Sequence, residues 1–551
     1  MRENTMKPMQ GISRRSFVGL GALAGVGTLG LFGCTPKAQG EAGDAGSEGS
    51  AEKELKAADR TEECDVVVVG LGTSGLTAAA TAAQAGAKVV GIDRASSMAA
   101  TNAANVSGVF AVGSKPELEW DNHLTVEEMF KFIWEGTNYQ SNAGALRALL
   151  EASGKGMDIL IDGGVPFMYA FENATEETAL LNRGGHIYLT SGSERAEALQ
   201  ALLDASGVDS RWECEATDLL VEEGRVTGVR YVDADESTVD IKAHSVIVGT
   251  GGFIQNEEML REHYAGGLMY CPGNQYNDGA GISMAVQAGA QLGKNFSTSI
   301  NESGACNMKA STPFVSLTDC NETPVFSMPL FGGLFVNRNG RRFLDEGKMA
   351  KKTMYCGEPL LREVSYYSVV DQAFVDELST KPVLELVSSD AYENMAPGVQ
   401  MGFQGKTLTA LSDQLAQGVE EGWVWKADSI SDLAEQAGLK HLEETVEAYN
   451  GYCATGTDDE MYKESQFLRE VASGPFYAIE FEVAAWVTLG GIKTDDCCRA
   501  VDADARPIEG LYIVGVDGDF WSVPYFQGGS CQGFCVASGY LAGSTAAANI
   551  E

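Results

Sequence analysis

Short β-branched runs alternate with Ala-rich segments through the first half of the chain, the pattern of buried strands joined by helices. Cys64-Asp65-Val66-Val67-Val68-Val69 is dominated by valine and reads as a strand covered on both faces. Gly70-Leu71-Gly72-Thr73-Ser74-Gly75 follows at once. Leu76 to Ala85 is Ala-rich and reads as a helix, and Lys88-Val89-Val90-Gly91-Ile92 is a second strand that ends in Asp93. Glu215–Val221 and Arg225–Asp233 flank the turn Glu222-Glu223-Gly224 with partly alternating apolar residues, which predicts a hairpin. His244-Ser245-Val246-Ile247-Val248 is a further strand, and it closes on the glycine turn Gly249-Thr250-Gly251-Gly252-Phe253. A helix is predicted over Ile282–Ala290. Past Asn295 the periodicity becomes irregular, as expected of a separate unit, and no internal repeat is visible.

The first 60 residues follow another rule. Phe17 to Gly33 is uncharged but broken by glycines, and it is shorter than the about 20 residues a spanning helix needs, so it reads as a signal h-region. Before it, Ser13-Arg14-Arg15-Ser16-Phe17-Val18 resembles the twin-arginine export motif, and Leu31-Phe32-Gly33-Cys34 at its end resembles a lipobox. Residues 1–34 are therefore expected to be a signal peptide. Lipidated Cys34 would anchor the protein by its lipid to the outer face of the cytoplasmic membrane. Residues 35–60 hold almost no large apolar side chain and are expected to be a flexible tether.

Composition narrows the function. Of 551 residues, 44% are hydrophobic and 21% charged, which allows a sizeable core. Thirty-nine Lys and Arg against 77 Asp and Glu give a net charge of −38, which repels phosphate backbones and argues against nucleic-acid binding. The 12 cysteines are scattered with no CxxC pair, no haem motif and no zinc spacing, so no metal site is expected and the lack of a ligand run argues against an iron–sulfur cluster.

The segment 64–93 carries the first chemistry. Gly70, Gly72 and Gly75 form G-x-G-x-x-G between a strand and a helix, with an acid, Asp93, about 20 residues on. In that setting the backbone around Gly70, Gly72, Thr73, Ser74 and Gly75 approaches a pyrophosphate at the helix N-terminus, and Asp93 accepts hydrogen bonds from a ribose.

A second set of motifs is similar to a family of flavoproteins that includes fumarate reductase, flavocytochrome c and the ketosteroid dehydrogenases. Gly249 to Phe253 is similar to their A-T-G-G-F segment, and Asn277-Asp278-Gly279-Ala280-Gly281 to T-G-D-G. Phe335-Val336-Asn337-Arg338-Asn339-Gly340-Arg341-Arg342-Phe343 resembles V-N-x-x-G-x-R-F. Thr488-Leu489-Gly490-Gly491-Ile492 resembles T-M-G-G-[LI], and Gly510 to Gly515 resembles G-L-Y-A-A-G. Gly528-Gly529-Ser530 and Ser538 to Gly543 match the last flavin loop and the terminal helix. The resemblance runs from about Cys64 to the C-terminus. It implies an α/β fold: a bipartite Rossmann-like FAD-binding domain, 61–295 and 468–551, with an inserted α+β capping domain at 296–467. It implies non-covalent FAD, with Arg94, Thr101, Asn102, Gly108, Ala216, Thr250, Gly251, Gly252, Asp278, Gly515, Asp517, Ser530 and Cys531 at the cofactor.

Departures from the family bear on the reaction. The fumarate reductases carry an arginine proton donor within N-E-x-x-x-R, where this chain has Ala350. Their substrate-binding His is replaced by Trp486-Val487, and their carboxylate-binding Arg falls on Phe526. A small dicarboxylate would lack its clamp. Trp486, Trp521, Tyr525 and Phe526 suit a larger neutral substrate. The resemblance to ketosteroid dehydrogenases pairs Tyr525 with Gly529 as holders of a ring carbonyl. Lys351 and Tyr355 are candidates for the missing proton donor, and His186 lies in the family's substrate-access region.

The expected activity is therefore an FAD-dependent reductase acting on an activated C=C bond in a neutral enone or unsaturated lactone. With no haem motif, electrons would come from a separate cytochrome or quinol-linked donor. The alternatives are a dehydrogenase running in reverse and a lipoprotein that binds FAD without catalysis.

Overall fold

The computed structural model describes residues 55–551 except 107, 122, 174–182, 265–268, 270, 272, 299–304, 307–319, 322–323, 352–356, 364, 388, 390–402, 521–524, 526–527 and 551. The signal peptide and most of the expected tether, together with Trp521, Phe526 and Tyr355, lie outside the described residues.

A six-stranded sheet forms the frame, in the spatial order β19 (Arg499–Val501), β20 (Pro507–Ile513), β11 (Ser245–Val248), β2 (Val66–Val69), β3 (Val89–Ile92), β7 (Asp209–Arg211). From β20 to β7 every pairing is parallel, and β19 closes one edge antiparallel. All four residues of β2, of β3 and of β11 are buried, which is what valine-rich runs without alternation demand. The helix Thr73–Gln84 crosses from β2 to β3 and is buried from Thr73 to Ala82. The C-terminal helix Ser530–Ala548 lies against it. Their backbones meet so closely that a Cβ on Gly539 would stand 2.4 Å from the Ser74 carbonyl oxygen and one on Gly543 2.5 Å from that of Ala78. Parts of the chain more than 400 residues apart thus build one domain.

The predicted hairpin is present as β8 (Glu215–Glu222) and β9 (Arg225–Val232), extended by β10 (Thr238–Lys242) and by the parallel strand β1 (Arg60–Glu63). The tether accordingly ends before residue 60: the Asp59 N–H donates to the Thr238 carbonyl, and its carboxylate accepts from the Thr238 N–H. A small antiparallel sheet, β4 (Gly108–Phe110), β6 (Gly185–Tyr188) and β5 (Phe167–Tyr169), stands beside the C-terminal helix.

The inserted unit is an antiparallel sheet of β13 (Ala305–Cys306), β17 (Phe476–Val483), β15 (Ser365–Asp371) and β14 (Leu334–Asn337), with β16 (Val424–Ala427) also on β17. Here the expected boundary shifts. β17 lies past residue 468 yet pairs with the inserted strands, and the chain pairs back at β18 (Thr488–Leu489) with β12 (Ser297–Thr298). A strand with both faces buried fits either sheet, so its residues alone do not say which sheet takes it. Within this unit Arg342 forks onto Glu346 and Asp458, with Nη2–O distances of 2.7 Å to each and all three side chains fully buried. A bidentate guanidinium offsets the desolvation of both carboxylates and fixes the short helix Glu346–Lys351, on which Ala350 is buried.

Candidate active site

A cavity opens where β2, β3 and β11 end and their glycine turns begin, with about 1270 Å³ of empty space when the open solvent at its mouth is included. In a parallel sheet this is where ligands sit, beyond the carboxyl ends of the strands.

The three motif glycines are required for three different reasons. Gly70 has φ +92°, and a Cβ there would meet the Gly249 carbonyl oxygen at 2.3 Å. At Gly75 a Cβ would stand 1.8 Å from the Gly70 oxygen, so the helix could not close onto the strand. Around Gly72 there is nothing within 4 Å of such a Cβ, and the residue lines the cavity. It leaves open the space a pyrophosphate needs. Gly72 caps the helix Thr73–Gln84, whose first turn holds no acid, so Thr73 and Ser74 present a positive helix end to the cavity.

Asp93 stands at the cavity edge with Arg94. Its carboxylate oxygens accept the N–H groups of Leu71 at 2.7 Å and Ala95 at 2.8 Å, leaving acceptor capacity for a ribose. Burial raises its pKa, against the pull of those two N–H bonds. Arg94 Nη1 lies 2.8 Å from Asp278 and 3.6 Å from Glu215, and its guanidinium sits 5.6 Å from the Tyr276 ring centre. Asn102 Oδ1 accepts the Asn274 N–H at 2.7 Å and pins the loop 273–278 over the cavity. Thr101, Gly108, Ala216, Thr250 and Gly251 complete this wall.

The rest of the lining includes apolar and neutral side chains: Trp486, Val487, Val516, Tyr525, Cys531 and Cys535. Gly529, also on the wall, caps the helix Ser530–Ala548, again without an acid in its first turn. The buried Tyr525 hydroxyl accepts the Cys531 N–H of that turn at 3.3 Å. Cys535 is pushed up by its hydrogen bond to Cys531 and by burial, which keeps it a thiol.

Residues 65–531 match the family described as FAD binding domain. The chain belongs to this family. Its cofactor is FAD, and it is an FAD-dependent oxidoreductase. The vinyl phenol reductase of Lactiplantibacillus plantarum is 28% identical over 498 residues, 88% of this chain and 96% of its own length. A probable fumarate reductase of Shewanella frigidimarina is 25% identical over 499 residues, 89% of this chain and 76% of its own length. Among solved structures, the 3-ketosteroid Δ1-dehydrogenase of Sterolibacterium denitrificans superposes with a TM-score of 0.65 at 18% identity, covering 89% of this chain and 100% of that one, a likeness of fold.

Several residues expected at the FAD stand behind the wall. Asp517 does not line the cavity. It is fully buried, accepts the Thr250 and Gly252 N–H groups at 2.5 and 2.6 Å and the Thr250 hydroxyl at 2.8 Å, and so ties the β11 turn to the chain after β20. Gly75 and Gly252 pack against protein, Gly515 donates its N–H to Ser538, and Ser530 is buried in the first turn of the last helix.

His186 is not at the site. It is fully buried in β6, where Nδ1–H donates to the Gly184 carbonyl at 3.0 Å and Nε2 accepts the Ser114 hydroxyl at 2.8 Å. Burial lowers its pKa to about 4. The fold holds the neutral ring, so unfolding takes up a proton below about pH 6.5. The stability this costs is lost as pH falls from about 6.5 towards 4. His186→Gln is expected to flatten that limb of a denaturation-versus-pH series and to leave the flavin spectrum unchanged; a bleached or shifted flavin would contradict this placement.

The backbone of Lys351 ends the helix Glu346–Lys351, with its side chain outside the described residues. Asn274, Tyr276, Glu215 and Gln532 line the cavity without having been expected there. The turn signal Pro272-Gly273-Asn274, just before the Asn277-Asp278-Gly279 motif, marks the loop that brings two of them in.

Proposed function

We propose that this flavoprotein reduces an activated C=C bond in a neutral enone or unsaturated lactone at the outer face of the cytoplasmic membrane. The observation that carries the reading is a charge count. Among the described residues on the cavity wall Arg94 is the one cation, and it is already paired with Asp278 and Glu215 beside Asp93. Nothing described on the Trp486–Tyr525 side offers a charge to a carboxylate substrate, while Trp486, Val487 and Val516 supply apolar walls. The similarity to a vinyl phenol reductase supports the reductive direction.

The chemistry FAD supplies when bound is two-electron transfer; orientation and charge stabilisation fall to the chain. As the β-carbon of an enone is reduced, negative charge gathers on the carbonyl oxygen. We assign that donation to Tyr525, which lines the cavity. Its oxygen accepts the Cys531 N–H at a positive helix end, which polarises the O–H and makes it a stronger donor. The backbone at Gly529 stands beside it on the wall. The proton for the α-carbon is assigned to Tyr355 or Lys351, at or just past the end of the helix that Arg342 and Glu346 hold in place.

Tyr525→Phe keeps the ring and removes the donor. It is expected to lower the rate of enone reduction by roughly 10²–10³, the scale of one lost oxyanion donor, with FAD retained. Anaerobic single-turnover kinetics of the dithionite-reduced protein measures it. An unimpaired variant would remove Tyr525 from the reaction.

Location rests on the N-terminal motifs, since no helix among the described residues is long and apolar enough to cross a membrane. Replacing Arg14 and Arg15 by Lys is expected to leave the protein in the cytoplasm, and Cys34→Ala to release it from the membrane fraction. Fractionation that finds wild type fully soluble would contradict the anchor.

A further inference from the structure

We propose that Cys531 and Cys535 form a redox-active dithiol that exchanges an electron pair with FAD and gives this flavoprotein a second two-electron store. The inference goes beyond the enone reading and stands on the cofactor alone.

Position comes first. The two cysteines are four residues apart on the helix Ser530–Ala548, so they share one face, and both line the cavity. Each is 6% exposed. A dissolved oxidant has little access to them, whereas a molecule that fills the cavity meets them directly. A Cβ built on Gly515 would lie 3.6 Å from the Cys535 sulfur and 2.4 Å from Ser74 Oγ. Cys535 therefore stands near the first turn of the helix Thr73–Gln84, where the pyrophosphate approaches. Cys531 is tied to Tyr525, whose hydroxyl accepts its N–H at 3.3 Å. Ser74 and Tyr525 are both on the cavity wall, so the pair has cofactor-site neighbours at each end.

Closure is within the reach of the helix. Residues four apart rise about 6 Å along the axis. That lies inside the roughly 4.4–6.8 Å between the Cα atoms of a disulfide. The Cys535 thiol is already hydrogen-bonded to Cys531. Cys531 lies in the first turn, after Gly529 at φ +76°, and its N–H goes to the Tyr525 side chain. A helix is least tied at such an end, so the turn can loosen there. At Gly533 the same helix is pressed onto β4: a Cβ there would stand 1.8 Å from the Phe110 carbonyl oxygen. Cys531 is accordingly the partner that moves.

Other cysteines lack this arrangement. Cys214 also lines the cavity, but its thiol is bonded to the Trp212 carbonyl at 3.4 Å and to Asp233 at 3.6 Å. Cys497 and Cys498 adjoin in sequence, and neither lines the cavity.

On oxidation two S–H bonds break and one S–S bond forms, and two electrons and both protons pass to FAD. In the reverse direction reduced FAD cleaves the disulfide and returns both protons to the sulfurs. Negative charge that gathers on sulfur during the exchange meets the positive end of the helix Ser530–Ala548.

The test uses the FAD-loaded protein, oxidised with ferricyanide, freed of it and titrated anaerobically with dithionite. Wild type is expected to take up about four electrons per FAD, and Cys531→Ser and Cys535→Ser about two. Cys497→Ser is expected to behave as wild type. Alkylation of denatured wild type reads the pair without any variant: the peptide holding Cys531 and Cys535 is expected to carry no label before the titration and a label on both afterwards. Illumination with EDTA sends electrons in through the flavin alone and is expected to label the same peptide, with none in the dark. Uptake of only two electrons by wild type, or a peptide labelled on both cysteines before titration, would overturn the dithiol. If Cys531→Ser and Cys535→Ser still take up four electrons, the store lies elsewhere. A flavin that bleaches in the light while the peptide stays unlabelled would show that the pair does not exchange electrons with FAD.

Discussion

Gly72→Val is expected to fold and to purify without FAD. A Cβ at residue 72 would meet no protein atom within 4 Å, and the backbone there is an ordinary helix cap with φ −63° and ψ −175°, so valine is accommodated by the protein itself. What it fills is the cavity beside the helix N-terminus, where the pyrophosphate must approach the backbone N–H groups. Gly75→Val makes the contrast. Its Cβ would lie 1.8 Å from the Gly70 carbonyl oxygen, so that variant is expected to fail as a fold. Circular dichroism and thermal melts separate the two, and flavin absorbance in the supernatant of denatured protein counts the cofactor. Wild type is expected to release one FAD per chain on denaturation, and Gly72→Val less than about a tenth of that. The variant is also expected to melt lower, because a ligand held only by the native state stabilises it. Stoichiometric FAD in Gly72→Val would mean that the motif does not hold the pyrophosphate.

What was legible in the sequence was what local pattern encodes. β2, the glycine turn, the helix Thr73–Gln84 and β3 follow one another with no tertiary choice to make. The hairpin β8–β9 likewise closes on its own turn. What was not legible was which side of a motif faces the cavity. Asp517 follows the strand β20 as a cofactor residue would, yet its carboxylate turns inward to hold the Thr250–Gly252 backbone, because three buried donors there need an acceptor. Ser530 and Gly515 are displaced for a similar reason: each is consumed in packing the C-terminal helix against the sheet.

His186 makes the same point in reverse. The resemblance puts His186 in the family's substrate-access region, but it sits in a strand whose register pairs it with Val109 and Tyr169. Its two ring nitrogens are satisfied inside the protein, one by Gly184 two residues before it and the other by Ser114, 72 residues away in sequence. β17 is the largest misreading of organisation. Its apolar run specifies a buried strand and leaves the choice of sheet to β15 and β16, which flank it.

Neutral enones are expected to be preferred over fumarate by at least about 10³ in rate. Three positions that carry cations in the fumarate reductases this chain resembles are Ala350, Val487 and Phe526 here. Val487 lines the cavity as a hydrocarbon wall. Ala350 is buried in the helix that Arg342 fixes, with no side chain to reach a substrate. The remaining described cation on the wall, Arg94, is held by Asp278 at 2.8 Å. A dianion entering beside Trp486 and Tyr525 would shed its water without charged partners. At about 1.5–3 kcal/mol for each hydrogen bond to a charged group, losing three removes about 4.5–9 kcal/mol of transition-state stabilisation. At about 1.4 kcal/mol per factor of ten, that exceeds the margin stated. A neutral enone asks only for apolar walls and a donor at its oxygen, the roles proposed for Trp486, Val516 and Tyr525 on the cavity wall. The measurement that tests this most directly is anaerobic stopped-flow reoxidation of the reduced flavoprotein by fumarate and by a ring-sized neutral enone at equal concentration. Rapid reoxidation by the enone with fumarate at least 10³-fold slower is the predicted result; fumarate reoxidising the protein as fast as the enone would contradict the account.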